Sequence, residues 1–136
     1  MSKIRLPAQI KSLESLTRFV SAYAQKQGFD EKRIHEIELA TEEALVNIFH
    51  YAYTKDQGYV ELKCTTDNHN NLVIEILDTG IPFDILSIPD PDINANTSER
   101  KIGGLGIFLI RKMMNEVKYR REGGKNILTF IVHKTR

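Results

Sequence analysis

The sequence predicts an α+β domain: a two-layer sandwich in which a mixed, mostly antiparallel sheet carries three helices on one face. Three observations lead there. Apolar residues recur every three or four positions in two long early segments and one late one. Apolar and polar residues alternate, or form short apolar runs, in two pairs of segments around that last helix. The resulting order is α-α-β-β-α-β-β, with a short alternating piece at 3–6 as a leading edge strand. The chain has 136 residues, the length of one domain spanning residues 1–136. A chain of that size buries roughly two thirds of its unfolded surface, enough for its own core.

Each element has a local cause. In the first helix, over 9–27, Ile10, Leu13, Leu16, Val20 and Tyr23 share a face, and Gly28 supplies the left-handed residue that ends it. Asp30 is placed to cap a second helix, with Glu31 in its first turn. That helix runs to about Tyr53 and presents Ile34, Ile37, Thr41, Ala44, Leu45 and Ile48. Val60, Leu62 and Cys64 then alternate with Glu61, Lys63 and Thr65. The polar turn Asp67-Asn68-His69-Asn70-Asn71 joins this strand to a more apolar one at 72–77, as a hairpin requires. Residues 81–103 hold Pro82, Pro89 and Pro91 among Asp, Asn and Ser, a long irregular stretch of the kind that serves as a lid or is simply a loop. An apolar helix at 105–115 follows, then strands at 117–121 and 127–133 about Gly123-Gly124.

The formal net charge of +1 argues against a protein that coats nucleic acid. The single cysteine, Cys64, lies in an apolar row and is expected to be a core side chain. No signal-length apolar run opens the chain, and no stretch of ~20 apolar residues occurs. The expectation is a soluble cytoplasmic protein that engages neither membrane nor nucleic acid.

Three features can carry chemistry. On the second helix, Glu43 and Asn47 lie about 40° apart and His50 about 20° to the other side of Glu43, one polar stripe beside the apolar face. Such a stripe can be a solvated surface. It can also present an Asn carbonyl to Mg²⁺, a hard cation that keeps several waters, with a carboxylate nearby to accept a proton. Asp78-Thr79-Gly80 closes an apolar strand; it reads equally as a strand-ending turn or as a carboxylate accepting an amino hydrogen beside a glycine that admits a ligand. Gly103-Gly104-Leu105-Gly106 opens a helix, where backbone N–H groups bind phosphate, or else serves as a hinge. Arg100 and Lys101 precede it. The chain has no Walker-type phosphate loop, no dinucleotide fingerprint and no zinc spacing among His35, His50, His69 and His133.

Together, three segments resemble the GHKL ATPase superfamily of gyrase, heat-shock chaperone, histidine kinase and mismatch-repair proteins, and within it the single-domain RsbW-like anti-sigma serine kinases. They are Glu42-Glu43-Ala44-Leu45-Val46-Asn47-Ile48-Phe49-His50-Tyr51-Ala52-Tyr53, Asp78-Thr79-Gly80-Ile81-Pro82-Phe83-Asp84 and Gly103-Gly104-Leu105-Gly106-Ile107-Phe108-Leu109-Ile110. The tail from Met114 through Thr129 looks like the same branch. The resemblance implies the Bergerat fold and a site for ATP and Mg²⁺. Asn47 would hold the metal and Glu43 would be the general base, with His50 beside them. Asp78 would accept the adenine amino group, with Gly80 against the base and Thr129 near it. Gly103, Gly104, Leu105 and Gly106 would line the phosphates, and residues 84–103 would be the lid. Pro82 stands where the wider superfamily often has glycine; the anti-sigma branch tolerates it.

The resemblance also implies partner switching. A homodimer would sequester a sigma factor or another regulator and phosphorylate a STAS-type anti-anti-sigma protein on serine. A non-catalytic ATP-binding module that only sequesters its partner fits the same residues. So does a histidine kinase catalytic domain with a detached phosphoacceptor domain.

Overall fold

A computed structural model of the chain describes residues 1–53, 58–87 and 104–134. The sheet contains β1 (Ser2–Pro7), β2 (Tyr59–Thr66), β3 (Leu72–Asp78), β4 (Glu116–Glu122) and β5 (Lys125–Val132), in the order β1-β2-β3-β5-β4. Every pairing among these strands is antiparallel, so the mixed sheet left open by the sequence is a purely antiparallel one here. The helices are α1 (Leu13–Lys26), α2 (Glu31–Tyr51) and α3 (Gly104–Met113).

Strand alternation sorts the sheet into two faces. On β3, Leu72, Ile74, Ile76 and Asp78 form one row, paired in register with Val132, Phe130, Leu128 and Asn126 of β5. The apolar members of this row are buried with Leu16 and Val20 of α1, Ile37, Ala44 and Leu45 of α2, and Ile107 and Ile110 of α3. The inward row therefore ends, at one edge of the core, in two polar residues facing each other. The outward row carries Glu61, Lys63, Glu75, Lys118 and Arg120, with ion pairs Arg5–Glu61 at 3.3 Å and Arg120–Glu75 at 3.5 Å.

The local signals behave as their chemistry dictates. The Asp30 side chain accepts from the Arg33 N–H at 2.8 Å and caps α2. Gly28 follows α1 with φ of +89°. Cys64 is buried, and burial pushes its thiol up to about 12. Two expectations fail in detail. Ile10 belongs to a 3₁₀ turn (Ile10–Ser12) ahead of α1 and is 61% exposed, because the helix itself starts three residues later. Residues 85–87 of the supposed irregular stretch form a 3₁₀ turn, held by Asp84 accepting from the Leu86 N–H at 2.9 Å and by the buried Ile85. The remainder of the proposed lid, 88–103, lies outside the described residues.

A buried guanidinium that the periodicity did not flag closes the far end of the sandwich. Arg33, 3% exposed, donates to the carbonyls of His133 and Met113, to Asn115 Oδ1 and to Glu36 Oε1. It thus ties the start of α2 to the end of α3 and the end of β5. Removing one partner of such a network strands the others in a dry environment. Arg33→Ala should cost about 3 kcal/mol or more of unfolding free energy, read from chemical denaturation. A cost within 0.5 kcal/mol, about what a surface substitution gives, would show that the network contributes no stability.

Candidate nucleotide site

The site forms where α2 passes beneath the polar end of the β3–β5 row. Ala40, Ala44, Asn47 and Ile48 follow one another at helical spacing and all are buried. Asn47 is 1% exposed, so it lies within the apolar stripe and not on a polar stripe beside it. Its Nδ2 donates to the Glu43 carbonyl at 2.7 Å, while its Oδ1 is buried without a hydrogen-bond partner among the described residues. An orphaned buried carbonyl costs about 1–3 kcal/mol. A hard cation is the kind of ligand that would satisfy it, so the donor set fits Mg²⁺.

Glu43, one turn earlier, is half-buried. Desolvation, and secondarily the neighbouring Glu42, push its carboxyl above the usual range. Gly106, near the start of α3, lies directly against it: a Cβ there would stand 2.4 Å from Glu43 Oε2. The glycine segment thus meets the α2 carboxylate because position 106 lacks a side chain. Gly104 opens α3. Gly103 lies outside the described residues, as do Arg100, Lys101 and the side chain of Leu105.

At the other end, Asp78 is 2% exposed and Gly80 is buried. Desolvation raises the Asp78 carboxyl, opposed by hydrogen bonds from Asn126 and Gly80 and by the charge of Arg121. Gly80 rests on the end of α2: a Cβ there would be 2.2 Å from the Ala52 carbonyl oxygen, which accepts the Ile81 N–H at 2.8 Å. Tyr53 adds a second tie, its hydroxyl donating to the Tyr59 carbonyl at 2.7 Å and accepting the Thr79 N–H at 2.8 Å. Along α2, Glu43 and Ala52 are about 14 Å apart, a span that an extended nucleoside triphosphate can cover.

The structure thus groups Glu43, Asn47 and Gly106 partway along α2, and Asp78 and Gly80 at that helix's C-terminal end. Two expected members stand apart. Thr129 belongs to the outward row of β5, opposite Glu75 and Lys118 and on the other side of the sheet from Asp78; one residue of strand separates it from the inward row. His50 is exposed on the last turn of α2, its ring 6.3 Å from that of Tyr51, because its position in the helix turns it away from the Asn47 stripe. Asn126 was missed. It donates to Asp78 Oδ1 at 2.9 Å, and inward alternation from Val132, Phe130 and Leu128 leads directly to it.

The fold is a two-layer sandwich in which one helix and two loops gather these candidate residues, with no P-loop in the sequence. The chain belongs to the histidine kinase-like ATPase domain family, whose sequence profile matches residues 6–132. Among curated relatives it is similar to the serine-protein kinase RsbW of Bacillus cereus strain G9842, 25% identical over 93% of this chain and 81% of the relative. It is also similar to RsbW of Listeria innocua, 27% identical over 96% of this chain and 87% of the relative. A solved structure of the RsbU and RsbW domains of a Mycobacterium tuberculosis protein superposes with a TM-score of 0.64 at 14% identity. It covers 98% of this chain, which spans 32% of that longer one. The histidine kinase domain of a blue-light activated kinase from Erythrobacter litoralis gives 0.57 at 17% identity, over 88% of this chain and 64% of its own. These two likenesses support the fold. No helix among the described residues is long and apolar enough to cross a membrane.

Proposed function

We propose that this protein is an ATP- and Mg²⁺-dependent serine/threonine kinase of the anti-sigma type, acting on a STAS-type protein and sequestering a sigma factor or similar regulator, as a homodimer in the cytoplasm. The observation that carries the reading is Asn47 Oδ1, a buried carbonyl without a hydrogen-bond partner among the described residues, one turn from a partly desolvated carboxylate. The family membership and the kinase names of the relatives support it.

Each residue has a role. Asp78 accepts the amino group of the base, and Gly80 lets the base approach the backbone. The N–H groups at the start of α3 face the phosphates. Asn47 would hold Mg²⁺, which neutralises charge on the phosphates when bound. Glu43 accepts the proton of the target serine hydroxyl as its oxygen bonds to the γ-phosphorus; the bond to the β–γ bridging oxygen breaks and ADP departs. A carboxylate raised by burial is the better base for that proton. Positioning and charge neutralisation supply the rest of the acceleration. Phosphate added to the partner then weakens the complex by repulsion and desolvation.

The test is calorimetric titration with ATP, with and without Mg²⁺, on the wild type and Asn47→Ala. Wild-type affinity should rise with Mg²⁺. The variant should lose that enhancement, by at least the roughly tenfold that loss of an outer-sphere partner costs a metal site. Binding that is Mg²⁺-independent in both proteins would reject the metal role, and absence of ATP binding by folded wild type would reject the nucleotide site.

A further inference from the structure

Asn126 uses its whole hydrogen-bonding capacity inside the protein. An asparagine amide has two donor hydrogens and two acceptor lone pairs. Here Nδ2 donates to Asp78 Oδ1 at 2.9 Å and to the Ile81 carbonyl at 2.8 Å. Its Oδ1 accepts from the Tyr119 hydroxyl at 2.6 Å and from the Phe83 N–H at 3.1 Å. The two acceptors on one side and two donors on the other fix the amide in a single orientation. The residue is 4% exposed. It therefore has nothing left to offer a ligand, and it binds three segments of the site to one another: the end of β3, the loop at 81–83 and β4.

We infer that Asn126 is the positioning residue that sets base selectivity, by holding Asp78 as a fixed acceptor aimed at an amino group. This rests on the adenine assignment made above and goes beyond it. Asp78 Oδ1 takes both protein bonds, from Asn126 and from the Gly80 N–H at 2.9 Å. Neither bond uses the second carboxylate oxygen, which is left to accept from a ligand. A carboxylate so held favours a base with an exocyclic amino donor and repels one with a carbonyl at the same place. A protonated Asp78 would do the reverse. Asn126 opposes protonation, since its donor bond favours the charged form that burial disfavours. Among the described residues, the other charged or titratable groups facing this point are Arg121 and Tyr119 of β4, Asp84 of the following loop and Tyr53 after α2. Arg121 donates to the Gly80 carbonyl at 2.8 Å and also favours ionised Asp78.

The experiment compares binding of ATP and ITP, which carries a carbonyl in place of the amino group, from about pH 5 to about pH 8. The proteins are wild type, Asn126→Leu, Asn126→Ser and Tyr119→Phe, with folding checked by thermal denaturation. Wild type should prefer ATP by about 100-fold near neutrality, the scale of one buried acceptor left facing the wrong group. Asn126→Leu should lose ATP affinity while keeping or gaining ITP affinity, so that the preference falls at least about tenfold. The pH below which preference disappears should also move upward. Tyr119→Phe leaves the bond to Asp78 in place and should keep the preference. If Asn126→Leu does not fold, Asn126→Ser, too short to reach both Asp78 and Ile81, carries the same expectation. Equal losses of ATP and ITP in the Asn126 variants, with an unmoved pH midpoint, would overturn the selectivity role and leave the adenine assignment standing. Wild type that binds ATP and ITP alike would overturn both.

Discussion

Glu43→Gln should bind ATP as wild type does and transfer phosphate to the serine of its partner about 10²–10⁴ times more slowly, the range that a positioned general base contributes. Gln has nearly the same shape, so its contact with Gly106 survives, while the change removes the negative charge and the capacity to take a proton. Its measurement is radiolabel or mass transfer from ATP to a co-encoded STAS protein, beside calorimetry of nucleotide binding. The wild-type rate should also show an acidic limb above the ordinary carboxylate range. Burial raises the Glu43 carboxyl, so it stays protonated, and unable to act as base, to a higher pH than an exposed glutamate does. Transfer by Glu43→Gln at the wild-type rate would exclude this carboxylate as the base. Transfer by neither protein, with ATP bound by both, would favour the module that sequesters without catalysis.

Much of the fold was legible because its elements are amphipathic. Helical spacing located α1, α2 and α3, and alternation located both hairpins to within a residue or two. The site was legible where a residue type is unusual for its place: a polar residue ending an apolar strand at Asp78, and glycines opening an apolar helix. Helical-wheel angles were weaker. They grouped Glu43, Asn47 and His50, but the packing of α2 against the sheet splits them, with Asn47 buried, Glu43 half-buried and His50 exposed. A wheel gives angles about one axis, and burial depends on what crosses above. Thr129 shows a different limit. The resemblance places Thr129 near the base, but Leu128, Phe130 and Val132 are inward and Thr129 alternates with them. Arg33 was invisible because three of its four partners, at His133, Met113 and Asn115, lie 80 or more residues away in the sequence.

Asp78→Asn should bind ATP about 100-fold more weakly while remaining folded, and its stability should respond to pH differently. The folded Asp78 carboxyl is raised above its unfolded value, chiefly by desolvation. Between the ordinary carboxylate range and the raised value, the folded state therefore holds a proton that the unfolded state has lost. Stability from this group is fully present below the unfolded pKa and falls as pH rises through the folded one. Once Asp78 ionises, its buried charge is a net cost, offset in part by Asn126, Gly80 and Arg121. Asparagine keeps a carbonyl to accept from Asn126 Nδ2 and the Gly80 N–H, and it carries no charge to desolvate. The variant should thus melt at the wild-type temperature or above at neutral pH, with this part of the pH dependence gone. Its amide hydrogens would face the amino group of adenine, donor against donor, and would suit the carbonyl of ITP. The nucleotide preference should therefore shift toward ITP in a protein no less stable than wild type. That combination separates a carboxylate kept for recognition from one kept for the fold: a structural role predicts lost stability with no change of preference.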